Sequence, residues 1–156
     1  MTMNMHRRQW LRMLGLACVP HAPTYVARQV HEDLLAVTEP DALPAMDWGD
    51  LNRMLEDWGA SPWHCSVTGR HGDLDTMLAN CRHAVEQHQR ALGATPATAM
   101  VVVRSNGATF RLADFVEVHT TIRSAVNAST ELWFGAAHDL ALVDAFRVTV
   151  VMDARA

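Results

Sequence analysis

The stretch Pro44-Ala45-Met46-Asp47-Trp48-Gly49-Asp50-Leu51 marks a boundary in this chain, because a proline-bearing loop becomes a helix there. Asp47 is a suitable N-cap residue, and the helix that it starts carries Leu51, Leu55 and Trp58 on one face. Asp47 and Asp50 lie three residues apart over the helix start, so both carboxylates can project toward the same side. The stretch therefore predicts either an ordinary helix cap or a pair of carboxylates available for chemistry.

A second helix is predicted before this stretch. Apolar residues recur at three- and four-residue steps from Tyr25 to Val37, and Pro40 ends the pattern. Residues 1–24 are expected to be an N-terminal extension, and residues 25–156 a single domain. Arg7 and Arg8 precede a short apolar run in the extension, which leaves an export signal open as an alternative to a short helix.

Helices and short β-rich runs alternate after the stretch. Strands are predicted at 61–67, 99–103, 131–136 and 146–152, with a loop at 68–72 and helices at 73–92 and 112–126. This order predicts an α/β (α+β) fold, a two-layer sandwich with a mixed four-stranded sheet, helices packed on one face and a long helix in front.

Composition excludes several classes of protein. The 156 residues are 49% hydrophobic, which rules out a disordered chain, and the net charge of -4 gives no basic footprint for nucleic acid or a membrane surface. No apolar run has the length of a transmembrane helix. Three scattered cysteines suggest a reducing compartment, so we expect a cytoplasmic protein without stable membrane insertion.

No metal site is expected from the histidines and cysteines. Their spacings contain no zinc-like pairing, and Cys81 and His83 point to different sides of one helix. No Ser–His–Asp or Cys–His catalytic arrangement can be argued from spacing either, so it is uncertain whether the chain is an enzyme.

Several segments together resemble one family. Ala128-Ser-Thr-Glu-Leu-Trp-Phe-Gly-Ala136, followed by Asp144-Ala-Phe-Arg-Val-Thr-Val-Val151, is similar to the two last strands of the C-terminal domain of FtsZ, in the tubulin/FtsZ family. Ala99 to Val103 and the helix after Leu112 resemble the preceding strand and helix of that domain. The resemblance covers about residues 25 to 154 and implies a C-terminal domain with the central helix in front of it.

The same resemblance gives the opening stretch a role. It matches the synergy loop, which in FtsZ filaments inserts against the GTP of the next subunit and helps to position the attacking water. Asp47 and Asp50 match both aspartates of that loop and are the candidate catalytic residues, acting in trans. The candidate binding residues around them are Ala45, Met46, Trp48 and Gly49. Ala45 departs from the family asparagine, which puts nucleotide or metal contact at that position in doubt.

The nucleotide-binding half of FtsZ has no counterpart in the sequence. Nothing resembles its glycine-rich phosphate loop, so no cofactor is expected to bind this chain alone. GTP is expected at the site only if a partner subunit supplies it. The resemblance therefore implies a cell-division protein at the septum that binds FtsZ or an FtsZ-like GTPase and caps, regulates or completes its GTP hydrolysis.

Three alternatives remain open at this point. The chain is either a scaffold module that self-associates as a homo-oligomer, or a remnant of a split or truncated FtsZ, or a small enzyme. Two-layer α/β domains host many chemistries, so the fold alone does not favour the last of these.

Overall fold

The computed structural model describes residues 25–58, 62–107 and 110–153. Within them the chain forms four α-helices, one short 3₁₀-helix and four strands. The helices are α1 (Tyr25–Ala36), α2 (Trp48–Trp58), the 3₁₀-helix (His71–Asp73), α3 (Leu74–Leu92) and α4 (Leu112–Ala125). The strands are β1 (Trp63–Arg70), β2 (Thr98–Ser105), β3 (Glu131–His138) and β4 (Ala145–Met152).

The four strands form one mixed sheet in the order β1-β4-β2-β3. Strand β4 is antiparallel to both β1 and β2, whereas β2 and β3 are parallel and connected through α4. The two inner strands are β2 and β4, which explains why their sequences are almost continuously apolar: a central strand covered on both faces has no solvent side. The predicted α/β fold with a mixed four-stranded sheet is confirmed.

Helices α3 and α4 cover one face of the sheet. Alternate residues of β2 and β4, such as Val101 and Val150, point into this core and pack against Cys81 and Val85 of α3 and Ile122 of α4. This layer of two helices on a sheet is the predicted two-layer sandwich.

The leading helix α1 lies on the opposite face, and α2 joins it there. Leu34 of α1 and Leu51 and Trp58 of α2 are buried against Met100 and Val151 of the sheet. Because the side chains of a strand alternate between faces, the neighbouring residues Val150 and Val151 pack into different cores, one on each face of the sheet.

The loop predicted at residues 68–72 is replaced by regular structure. Residues 68–70 continue β1, and a 3₁₀-helix follows at once. Gly69 pairs with Phe146 of β4, and a Cβ placed on Gly69 would clash with the sulfur of Met77. Glycine is needed at this position because α3 packs closely on the strand, and not because the chain turns there. The loop predicted at 68–72 was therefore wrong.

Helix ends follow the sequence closely. Gly93 ends α3 in the left-handed conformation, with φ of 64°, as expected for a helix C-terminus. At the start of α4 the N–H of Arg111 donates to the carboxylate of Asp114 at 2.9 Å.

The proposed extension at 1–24 and its export signal lie outside the described residues. Among the helices that are described, none combines the length and the apolar character needed to cross a membrane.

Candidate functional site

The loop between α1 and α2 is tied to the rest of the molecule by main-chain hydrogen bonds. The N–H of Met46 donates to the carbonyl of Val37 at 2.7 Å, so the two ends of the loop are held together. Leu43 and Ala136 exchange two bonds, at 2.8 and 2.9 Å, which attaches the middle of the loop to β3. We call residues 45–50 the aspartate segment. The main-chain bonds of the loop hold the start of this segment in place.

Asp47 is the N-cap of α2. Its carbonyl accepts the N–H of Leu51 at 3.1 Å, the first bond of the helix, and its carboxylate Oδ1 accepts the N–H of Gly49 at 2.6 Å. The side chain of Asp47 is nevertheless exposed. One carboxylate oxygen therefore has a structural role, which confirms the N-cap prediction and limits what this group can contribute to chemistry.

Asp50 lies in the first turn of α2, with its side chain half-exposed. A carboxylate in this position is stabilised by the positive end of the helix dipole. The structure thus places both aspartates at the start of one helix, with Asp47 exposed and Asp50 half-exposed.

The four candidate binding residues differ in their surroundings. Ala45 and Gly49 are exposed, and Trp48 keeps 40% of its surface accessible. Met46 is partly buried and packs against the core under α1 and α2, so part of its role is structural. An added Cβ on Gly49 would lie 2.8 Å from Oδ1 of Asp47, which means that a larger residue here would disturb the cap.

A buried polar cluster under α1 was missed by the sequence analysis. Arg147 of β4 donates to both carboxylate oxygens of Asp33 in α1, at 2.6 and 3.0 Å, and the hydroxyl of Thr149 donates to Asp33 at 2.7 Å. Asp33 follows the charged Glu32 along α1, but its own side chain is fully buried. The signal that could have found it is that Arg147 and Thr149 share one face of a strand that is otherwise apolar on both faces.

The cluster extends into the loop between β3 and β4. Arg147 also donates to Asp139 at 3.1 Å, and Arg104, which pairs with Arg147 across the β2–β4 ladder, lies 3.7 Å from the same carboxylate. Asp139 therefore bridges two arginines whose like charges are adjacent in the sheet.

This cluster fixes α1, the helix that leads into the loop before the aspartate segment. Asp33 precedes Val37 by one helical turn, and Val37 accepts the hydrogen bond that closes the loop on Met46. The position of the segment thus depends on a buried ion pair that lies outside the segment itself.

Metal ligands do not assemble in the described part of the chain. No group of three or more His, Cys, Asp or Glu side chains among these residues is arranged to hold a metal ion. Asp47 and Asp50 accordingly belong to no such group among the described residues.

Comparison with solved structures identifies the fold. The chain is similar to an empty FtsZ dimer from M. jannaschii, with a TM-score of 0.60 and 17% identity over 86% of this chain and 41% of that one. It is similar to CetZ from Methanosaeta thermophila, with a TM-score of 0.54 and 14% identity over 85% and 36% of the two chains. It is also similar to a GTPγS-bound CetZ2 protofilament from Haloferax volcanii, with a TM-score of 0.51 and 13% identity over 81% and 37%.

No protein-family model and no curated protein matches the sequence. The chain spans about two fifths of the length of the FtsZ structure that it matches. The fold is that of an FtsZ-like C-terminal domain preceded by a leading helix, as the sequence resemblance implied.

Proposed function

Given that this chain has the fold of an FtsZ-like C-terminal domain, we propose that it docks the aspartate segment on the nucleotide face of an FtsZ-like GTPase. There it caps the filament, regulates it or completes GTP hydrolysis in trans during bacterial cell division. One observation carries the proposal: Asp47 and Asp50 stand at the exposed start of α2, on a segment fixed by main-chain bonds.

The chemistry of phosphoryl transfer gives this arrangement a use. Hydrolysis of a nucleoside triphosphate depends mainly on the placement of the attacking water and on electrostatic stabilisation. A carboxylate held beside the γ-phosphate can therefore raise the hydrolysis rate by orienting that water. Asp47 already accepts a bond from Gly49. Asp50 is therefore assigned the water-positioning role, and Asp47 the role of holding the helix start that presents it.

Purified protein added to an FtsZ-like GTPase tests the proposal. We expect the GTP hydrolysis rate, or the amount of polymer that sediments, to change with the concentration of this chain. Asp50→Ala then separates the two modes, because trans-activation loses its stimulation whereas a steric cap persists. Glu56→Ala, an exposed carboxylate near the other end of α2, is the matched control and should behave as the unmodified chain. If neither rate nor sedimentation responds to an excess of protein, the proposal is wrong.

A second candidate is self-association through the same surface. Two exposed apolar side chains flank the start of the segment, Leu43 at 72% and Trp48 at 40% exposure, and the similar structures include a dimer and a protofilament. Size-exclusion chromatography with light scattering distinguishes this case: a concentration-dependent dimer that Leu43→Ser abolishes would support it, and a monomer at all concentrations would exclude it.

A further inference from the structure

Two cysteines meet in the core between α3 and the sheet. Cys65 lies on β1 and is half-buried, while Cys81 lies on α3 and is fully buried. Both thiols are free, and both side chains belong to the same hydrophobic cluster.

The strand geometry directs Cys65 toward α3. It pairs with Val150 across the β1–β4 ladder, and Val150 is buried in the core under α3 and α4. Because residues paired across a ladder share one face of the sheet, the Cys65 thiol points to the same side as Val150.

The path of α3 over β1 brings Cys81 to that position. At one end of the contact Gly69 lies against Met77, and at the other Trp63 stacks on His88 with ring centroids 4.5 Å apart. Cys65 lies between Trp63 and Gly69 along the strand, and Cys81 lies between Met77 and His88 along the helix. Both thiols therefore lie within this contact, where they are hydrogen-bonded to each other.

We propose that Cys65 and Cys81 are a site of reversible oxidation, forming a disulfide that links β1 to α3 when the protein encounters a hydroperoxide. The inference is independent of the proposed function, because it concerns the opposite face of the sheet from the one that α1 and α2 cover.

The reaction has two steps. The Cys65 thiolate attacks one peroxide oxygen, the O–O bond breaks, and Cys65 becomes a sulfenic acid while hydroxide leaves and is protonated to water. The Cys81 sulfur then attacks the Cys65 sulfur, the S–O bond breaks, and the hydroxyl takes up the Cys81 proton and leaves as a second water. Two thiols and one hydrogen peroxide give one disulfide and two waters, so both sulfurs are oxidised and both peroxide oxygens are reduced.

The environments of the two thiols fit these roles. The Cys81 thiol, as hydrogen-bond donor, lowers the pKa of Cys65, and this outweighs the opposing effect of partial burial. The pKa of Cys81 is raised by the hydrogen bond to Cys65 and then by burial, so it stays protonated. The half-exposed cysteine is thus the one that ionises and meets the oxidant, and the buried cysteine resolves the sulfenic acid.

Peptide mapping of the Cys18→Ser variant tests the proposal, because that variant keeps these two of the three cysteines. Trypsin cleaves after Arg53, Arg70 and Arg82, so the two cysteines fall on separate peptides, 54–70 and 71–82. After stoichiometric hydrogen peroxide we expect the intact protein to lose the mass of two hydrogens, both thiols to stop reacting with Ellman's reagent in denaturant, and the two peptides to appear cross-linked. Dithiothreitol should reverse all three changes.

Two variants separate the roles of the cysteines. In Cys18→Ser/Cys81→Ala protein, the same treatment should leave a Cys65 sulfenic acid that dimedone traps. In Cys18→Ser/Cys65→Ala protein, the buried Cys81 thiol should survive unmodified. If peroxide instead adds oxygen to either thiol of the Cys18→Ser protein, or yields a covalent dimer, and no cross-linked peptide forms, the proposal is overturned whether or not the two variants fold.

Discussion

The guanidinium of Arg147 in β4 forms two hydrogen bonds with the carboxylate of Asp33 in α1, at 2.6 and 3.0 Å, and both side chains are almost completely buried. The geometry is bidentate, and Thr149 donates a further bond to the same carboxylate. A pair of this kind positions elements strongly, since breaking it leaves a buried charge without its partner.

Removing Asp33 should therefore destabilise the whole domain. We expect Asp33→Ala to lower the free energy of unfolding by about 3 kcal/mol, the lower end of the range for a broken buried pair, because Asp139 still neutralises part of the Arg147 charge. Equilibrium urea unfolding measures the change. Arg28→Ala is the control: Arg28 and Glu32 are 3.7 Å apart on the same helix but exposed, and its loss should change stability by less than about 0.5 kcal/mol.

Replacing both partners should cost less than the sum of the single changes. In Asp33→Ala/Arg147→Ala no lone charge remains at the α1–β4 contact, so the double-mutant cycle should give a coupling free energy of at least about 1 kcal/mol. Additive effects of the two single variants would show that the pair contributes no mutual stabilisation.

The cap at Asp47 should be measurable apart from any function. Asp47→Ala removes the acceptor of the Gly49 N–H and should cost about 1 kcal/mol of unfolding free energy, whereas Asp47→Asn keeps an acceptor oxygen and should cost much less. Glu56→Ala on the same helix provides the comparison for loss of one exposed carboxylate. Equal stability of the Ala and Asn variants would contradict the cap role.

Gly135 should not tolerate a side chain. A Cβ at this position of β3 would come within 2.6 Å of Val37 Cγ1, so Gly135→Ala overpacks the contact with the end of α1 and should destabilise by about 1–3 kcal/mol. Gly72→Ala, where a Cβ meets nothing within 4 Å, is the matched control and should be close to neutral. Thermal unfolding of both variants checks this, and Val37→Ala should partly restore the Gly135→Ala protein.

Thr98 should be needed for the packing of α2 on the sheet. The indole N–H of the buried Trp58 donates to the Thr98 hydroxyl at 2.7 Å, and Thr98→Val leaves that donor without an acceptor at a cost of about 1–3 kcal/mol. The exposed Thr76 on α3 offers a control, Thr76→Val, expected to change stability by less than about 0.5 kcal/mol. If the two variants unfold at the same urea concentration, the Trp58–Thr98 bond does not contribute.

Periodicity was sufficient to predict the sheet and the helices to within a few residues. The strand predicted at Ala99–Val103 has no polar side, which is typical of a strand covered on both faces, and the structure places it between β4 and β3. The order of elements, together with the resemblance to FtsZ, led to the correct fold. Asp47 was correctly identified as a helix cap because capping depends on local sequence alone.

Long-range polar contacts could not be predicted from hydrophobic periodicity or from local capping patterns. Asp33 sits among charged residues of α1, and only its partner Arg147, 114 residues later, makes its burial favourable. In the same way, Gly69 was predicted to lie in a loop because glycine is common in turns, and only its close packing against Met77 explains why a glycine stands in the strand. Both positions depend on a contact with another element of the fold, which the local sequence does not show.

The place of β4 inside the sheet has a consequence for how this domain is made. Strand β1 pairs with β4, and Asp33 of α1 pairs with Arg147 of β4, yet the ribosome synthesises β2 and β3 before β4, so both partners lack these contacts until β4 has been made. A nascent chain that ends before residue 145 lacks the strand that contributes to the cores on both faces of the sheet, and apolar surface exposed in this way is prone to aggregation. Both cores are therefore completed only after β4 has left the exit tunnel.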